Sequence, residues 1–151
     1  MKKAIFPGSF DPITKGHEAL VIRGLELFDE IVIAIGTNAA KKYLYTLEER
    51  IKFIENTFAD YPQVTVASYE GLTIDYCKKI GAQFMLRGLR NSADFTFETS
   101  ISQVNRSLNN SIETVFLITS PELSAINSSI VRDIIINKGD ASQFLPDGVS
   151  L

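Results

Sequence analysis

Tryptophan is absent, histidine and cysteine each occur once, and only 15 of the 151 residues are lysine or arginine. Each shortage excludes something. A lone thiol, Cys77, cannot staple a small secreted fold with disulfides, so a reducing compartment, the cytoplasm, is expected. One histidine, one cysteine and scattered carboxylates show no metal-ligand spacing, and no protein-held metal site is expected. The net charge of -3 and a pI near 5.2 argue against a broad basic surface for nucleic acid. The longest apolar runs are Ile31 to Ile35 and Val115 to Ile118, against roughly 20 residues for a membrane-spanning helix. After Met1-Lys2-Lys3 the apolar run stops at Pro7-Gly8, too short for the hydrophobic region of a signal peptide, so neither export nor membrane insertion is expected. No nucleophile, base and orienting group stand together in a triad pattern, which disfavours covalent catalysis.

What is there is an ordinary globular composition, 45% hydrophobic and 22% charged, read as one domain over residues 1–151. Short β-branched or apolar runs at Lys3 to Phe6, Glu30 to Ile35, Val64 to Ala67, Gln83 to Leu86 and Thr114 to Ile118 alternate with helical periodicity. The spacing predicts a doubly wound, Rossmann-like α/β domain with a five-stranded parallel sheet flanked by helices. Leu47, Ile51, Ile54 and Phe58 share one helical face, and Phe97, Ile101, Val104 and Leu108 another; both stripes are expected in the core. Thr46 and Glu49 have capping-box spacing, which puts a helix start at residue 46. Beyond Lys138-Gly139 the periodicity fades, and the tail through Pro146-Asp147-Gly148 reads as a short terminal extension.

Open parallel sheets bind ligands at the carboxyl ends of their strands, so the loops after each strand carry the chemistry. The first strand runs into Pro7-Gly8-Ser9-Phe10-Asp11-Pro12 and then Thr14-Lys15-Gly16-His17 at a helix start, where free amides and the helix dipole favour phosphate. His17 is placed to donate to a phosphoryl group during attack, or else simply to cap the helix. Lys41-Lys42 follow the second strand, as phosphate ligands or as solvated surface. Arg87-Gly88-Leu89-Arg90 ends the fourth strand with two guanidinium forks around a glycine. Such neighbours repel unless an anion lies between them or carboxylates such as Asp94 and Glu98 pair with them. Ser124-Ala125-Ile126-Asn127-Ser128-Ser129 precedes the last helix, as caps or as a cradle for a triphosphate.

Together, Pro7 to His17, Thr46-Leu47-Glu48-Glu49-Arg50, Arg87 to Arg90 with Asp94-Phe95, and Phe144-Leu145-Pro146 resemble the phosphopantetheine adenylyltransferase family over nearly the whole chain. Thr-x-Gly-His alone marks only the wider nucleotidyltransferase superfamily; Arg-Gly-Leu-Arg narrows it. The resemblance implies transfer of the adenylyl group of ATP to 4'-phosphopantetheine, giving dephospho-coenzyme A and pyrophosphate in the penultimate step of coenzyme A biosynthesis. It also implies magnesium carried on the ATP phosphates, a homohexamer, and dephospho-coenzyme A and coenzyme A as product or inhibitor ligands. Carried over by position, it assigns catalysis to His17, Lys41 and Arg90, and phosphopantetheine binding to Ser9, Lys41, Thr73 and Arg87. ATP binding falls to Ser9, Phe10, His17, Gly88, Leu89, Arg90, Glu98 and the stretch Leu123, Ser124, Ala125, Ile126, Asn127, Ser128, Ser129. Three departures from the family's common form stand out: Ser9 stands where threonine is common, and Leu123 where an aromatic is usual. Ala125-Ile126-Asn127-Ser128-Ser129 replaces Phe-Ile-Ser-Ser-Ser.

The mechanism this implies is direct in-line attack of the acceptor phosphate on the α-phosphorus, with the protein positioning groups and stabilising charge. Other readings compete: a nucleotidyltransferase for nicotinamide mononucleotide or a polyol phosphate, a non-catalytic nucleotide sensor, or a flavodoxin-like redox protein on fold alone.

Overall fold

A computed structural model describes residues 1–151. Five strands, β1 (Lys3–Gly8), β2 (Glu30–Gly36), β3 (Val64–Tyr69), β4 (Phe84–Leu89) and β5 (Glu113–Ile118), alternate with α1 (Lys15–Gly24), α2 (Leu47–Thr57), α3 (Thr73–Ile80), α4 (Ser92–Leu108) and α5 (Ser128–Ile136). All four ladders are parallel and the order is β3-β2-β1-β4-β5, so the chain reverses its direction of travel across the sheet between β1 and β4. Residues 31–35 of β2 are buried without interruption because helices cover both faces, which is why the run reads as continuously apolar.

The ladders differ in a way that opens the site. β1 pairs with β2 from Lys3 to Gly8, but with β4 only at Ala4 and Ile5. Pro7 has no N–H to extend that second ladder, and its carbonyl instead accepts from Nη1 of Arg87 at 2.8 Å. The carboxyl ends of β1 and β4 therefore part at the topological switch point, where open α/β sheets bind ligands. Gly88 in β4 sits tight beneath α1: a Cβ there would overlap Cδ1 of Leu20.

Two expectations need correction. The stripe on α2 packs into the core, but that on α4 does not: Phe97 is 65% exposed, Val104 60%, and Ile101 and Leu108 lie open beside them. α4 turns only Glu98 fully inward. Helical periodicity shows that a face is apolar without saying what covers it, and within this chain nothing covers this one. The tail after Gly139 is docked. Ala141 and Leu145 form a small cluster with Val131, and Gly148 packs so closely that a Cβ would stand 2.6 Å from the backbone nitrogen of Thr57.

Candidate active site

The loops that follow β1, β2, β4 and β5 meet over the gap between β1 and β4. Two cavities of about 260 and about 370 Å³ lie side by side there, sharing Pro7, Gly8, Arg87 and Glu98 as a common wall. The first is also lined by Thr14, His17, Arg90, Asp94, Thr119, Ile126 and Asn127, and the second by Ser9, Tyr69, Leu72, Thr73, Ile101, Ser102 and Asn105.

His17 shares in capping α1 and also lines the first cavity. Thr14 caps α1 and accepts from the His17 amide at 3.5 Å, while the Thr14 amide donates to Nδ1 of His17 at 3.0 Å, a capping box with histidine in the place usually held by glutamate. An amide can only donate, so Nδ1 is the acceptor and the ring proton of the neutral form sits on Nε2. Burial, with the charges of Arg87 and Arg90 nearby, holds the ring's pKa down at about 4, so at neutral pH it is an uncharged donor on the cavity wall. The ring packs edge-on against Phe10 at 4.9 Å. Phe10 itself takes a left-handed φ of 47°, a conformation costly for a residue with a side chain and held here by the packed loop.

The two arginines resolve their repulsion through carboxylates. Arg87 binds Glu98 through Nε at 2.9 Å and through Nη2, and Glu98 is only 8% exposed. Arg90 binds Asp94 through Nε at 2.9 Å and Nη2 at 3.1 Å, and those hydrogen bonds lower the Asp94 pKa. These carboxylates orient the guanidiniums; the remaining N–H groups of Arg87 and Arg90 are what a ligand phosphate could use. No His, Cys, Asp or Glu side chains gather in a group of three fit to hold a metal ion.

At the mouth of the second cavity, Nζ of Lys41 donates to Oγ of Ser9 at 3.1 Å, so the β1 and β2 loops converge on one hydroxyl. Thr73 begins α3 and shares a 2.6 Å hydrogen bond with the Tyr69 hydroxyl. Across the first cavity, Asn127 caps α5 by accepting from the Ile130 amide at 2.9 Å. Behind it, Ser128 donates to the Pro12 carbonyl, and Arg132 joins Ser129 to the Asp11 carbonyl.

The sequence profile of the cytidylyltransferase-like family matches residues 5–134. Over 149 residues, 99% of this chain and 98% of the relative, 60% of positions are identical to a phosphopantetheine adenylyltransferase of Flavobacterium psychrophilum. The protein of that name from Flavobacterium johnsoniae is 61% identical over 99% of this chain and 97% of its own length. The one from Bacteroides fragilis is 43% identical over 100% of both chains. The chain belongs to the phosphopantetheine adenylyltransferase family. A crystal structure of a bifunctional NMN adenylyltransferase/ADP ribose pyrophosphatase from Francisella tularensis superposes with a TM-score of 0.76 over 97% of this chain. This chain spans 45% of that protein at 15% identity, a likeness of fold alone.

Of the positions that the family resemblance singles out, the structure brings His17, Gly88, Arg90, Glu98, Ile126 and Asn127 to the first cavity and Ser9 and Thr73 to the second. Arg87 and Glu98 face both. Lys41 reaches the site through Ser9, while Phe10 and Leu89 are buried in its support. Leu123, Ser124 and Ala125 lie on the turn leading to α5, outside both linings. Sequence reasoning misses Tyr69, and it meets the buried Arg50 only as the end of the Thr46-to-Arg50 motif, with no role assigned. Tyr69 ends a strand at the ligand edge, which was signal enough; Arg50 sits among glutamates on α2, and nothing local announces its burial.

Proposed function

We propose that the protein transfers the adenylyl group of ATP to 4'-phosphopantetheine, forming dephospho-coenzyme A and pyrophosphate in the penultimate step of coenzyme A biosynthesis. The observation that carries this reading is the pair of cavities joined at Arg87, with the neutral donor His17 on the wall of the first. Two phosphate-bearing substrates held in adjoining cavities meet where an in-line displacement needs them. ATP occupies the first and phosphopantetheine the second.

An acceptor phosphate oxygen attacks the α-phosphorus, a new P–O bond forms, and the bond to the bridging α-β oxygen breaks. Pyrophosphate leaves with the electron pair. The phosphate monoester is already an anion, so no base has to be recruited. Nε2–H of His17 donates to the α-phosphate as charge builds, Lys41 neutralises the incoming phosphate, and Arg90 with the α5 N-terminus holds the departing β and γ groups. Removing one such donor costs about 10² to 10³ in turnover.

Magnesium suits this arrangement as a passenger on the ATP phosphates. Glu98 and Asp94 are engaged by arginines, and Mg²⁺ keeps much of its water and needs few protein ligands. Bound there it offsets phosphate charge. The reaction belongs in the cytoplasm, where ATP is at hand, and coenzyme A and dephospho-coenzyme A compete for the acceptor cavity. The open apolar face of α4 supports assembly into a homohexamer.

Pyrophosphate release is the test, measured with ATP and magnesium, with and without 4'-phosphopantetheine, and with nicotinamide mononucleotide as control acceptor. Release that requires phosphopantetheine is expected. Release with the control acceptor alone would move the protein to another pathway, and ATP binding with no release would make it a nucleotide sensor.

A further inference from the structure

Arg50 is 3% exposed, yet none of the chain's four ion pairs includes it. Burying a guanidinium without a carboxylate is expensive, and a neutral donor would serve if only a tie between loops were needed. Its hydrogen bonds run to two carbonyls. Nη1 donates to the Ser9 carbonyl at 2.9 Å and Nε to the Thr46 carbonyl at 3.4 Å. Its Cζ lies 4.1 Å from the centre of the Tyr43 ring, and Nζ of Lys41 lies 5.4 Å from the centre of the same ring. Lys41 in turn donates to the Ser9 hydroxyl. A second tie fixes the same loop: the carboxylate of Asp11, itself 2% exposed, accepts from the amides of Leu44 and Tyr45 at 2.8 and 2.9 Å.

We propose that Arg50 and Tyr43 are positioning residues: Arg50 fixes the Ser9 carbonyl and the Tyr43 ring, and that ring carries Lys41, setting where its ammonium meets the acceptor's phosphate monoester. This rests on the acceptor reading above. A lysine on its flexible stem loses rotamer freedom whenever it is held still. The electron-rich ring and the Ser9 hydroxyl hold it from two sides, and Arg50 braces both holders from beneath.

The experiment is a double-mutant cycle between Tyr43 and Lys41, with kcat and KM measured for acceptor and for ATP. Tyr43→Ala should lower kcat/KM for the acceptor by about tenfold to a hundredfold, as misplacement of a positioned group does, and leave the KM for ATP unchanged. Tyr43→Phe, which keeps the ring, should restore the wild-type values. In a Lys41→Ala background, Tyr43→Ala should add no further loss. Full additivity, or an equal rise in both KM values, would overturn the proposal. Arg50→Lys and Arg50→Met extend the series if they fold; Tyr43 decides it alone if they do not. The affinity of each variant for inorganic phosphate is measured in parallel. If the wild-type protein turns over no phosphopantetheine, the acceptor reading fails, and the proposal then stands or falls on whether Tyr43→Ala weakens phosphate binding through Lys41.

Discussion

The Thr14 amide donates to Nδ1 of His17 at 3.0 Å, and this one hydrogen bond sets the tautomer of the neutral imidazole. A protonated ring would point an N–H at an N–H. Burial first, and then the fields of Arg87 and Arg90, lower the pKa from 6.5 to about 4.

The ring is the chain's only histidine, so its C–H resonances assign themselves. An NMR titration should show a midpoint near 4, and one near 6.5 would contradict the geometry. Stability follows with a definite sign. Between these two values the unfolded chain holds a proton that the folded chain does not, so stability falls as pH drops from about 6.5 to about 4. In His17→Gln that part of the pH dependence should vanish, as read by urea midpoints across the window.

Arg87 and Glu98 should prove coupled. Arg87→Met leaves a carboxylate buried without its partner and should cost about 1 to 3 kcal/mol in urea unfolding. Adding Glu98→Leu should recover much of the loss, because a buried pair replaced by apolar groups is close to neutral. A double variant no more stable than Arg87→Met would mean that the pair does not hold the wall together.

The open face of α4 predicts association. Phe97→Asp with Val104→Asp should convert an oligomer into a smaller species by sedimentation velocity while leaving the far-ultraviolet circular dichroism intact. A wild-type protein that sediments as a monomer at micromolar concentration would remove the assembly proposal.

Docking of the tail can be tested at Gly148. Alanine there meets the backbone of Asn56 and Thr57, which cannot yield as a flexible side chain would. Gly148→Ala should destabilise by about 1 to 3 kcal/mol, the usual cost of overpacking, and should speed proteolysis after Gly139. An unchanged melting temperature would show that the contact is dispensable.

Much of this protein was legible in its sequence because it is written in local rules. Five apolar runs separated by helical periodicity specify the parallel sheet, and the Thr46–Glu49 spacing forms the capping box it announces, with hydrogen bonds of 2.8 and 3.1 Å. The loops at the strand ends collect the candidate site because a parallel sheet sends every carboxyl end to one edge. The same local rules misplace the α4 stripe, since periodicity reports an apolar face and not its cover. They also leave the tail loose, since no repeat announces a docking held by Ala141, Leu145 and Gly148.

The sequence by itself determined the five strands and the helices between them, and so set the candidate phosphate loops and the lone histidine at one edge of the sheet. Only the tertiary structure decided how those parts act. The charge state of His17, the pairing of Arg87 with Glu98 and the brace of Arg50 beneath Tyr43 join positions 3, 11 and 7 residues apart, within reach of a sequence pattern. Their meaning, however, comes from contacts with Pro7, Ser9 and each other across the switch point. Hydrogen bonds and desolvation depend on angstroms and on what excludes water, and those are set when the chain closes on itself.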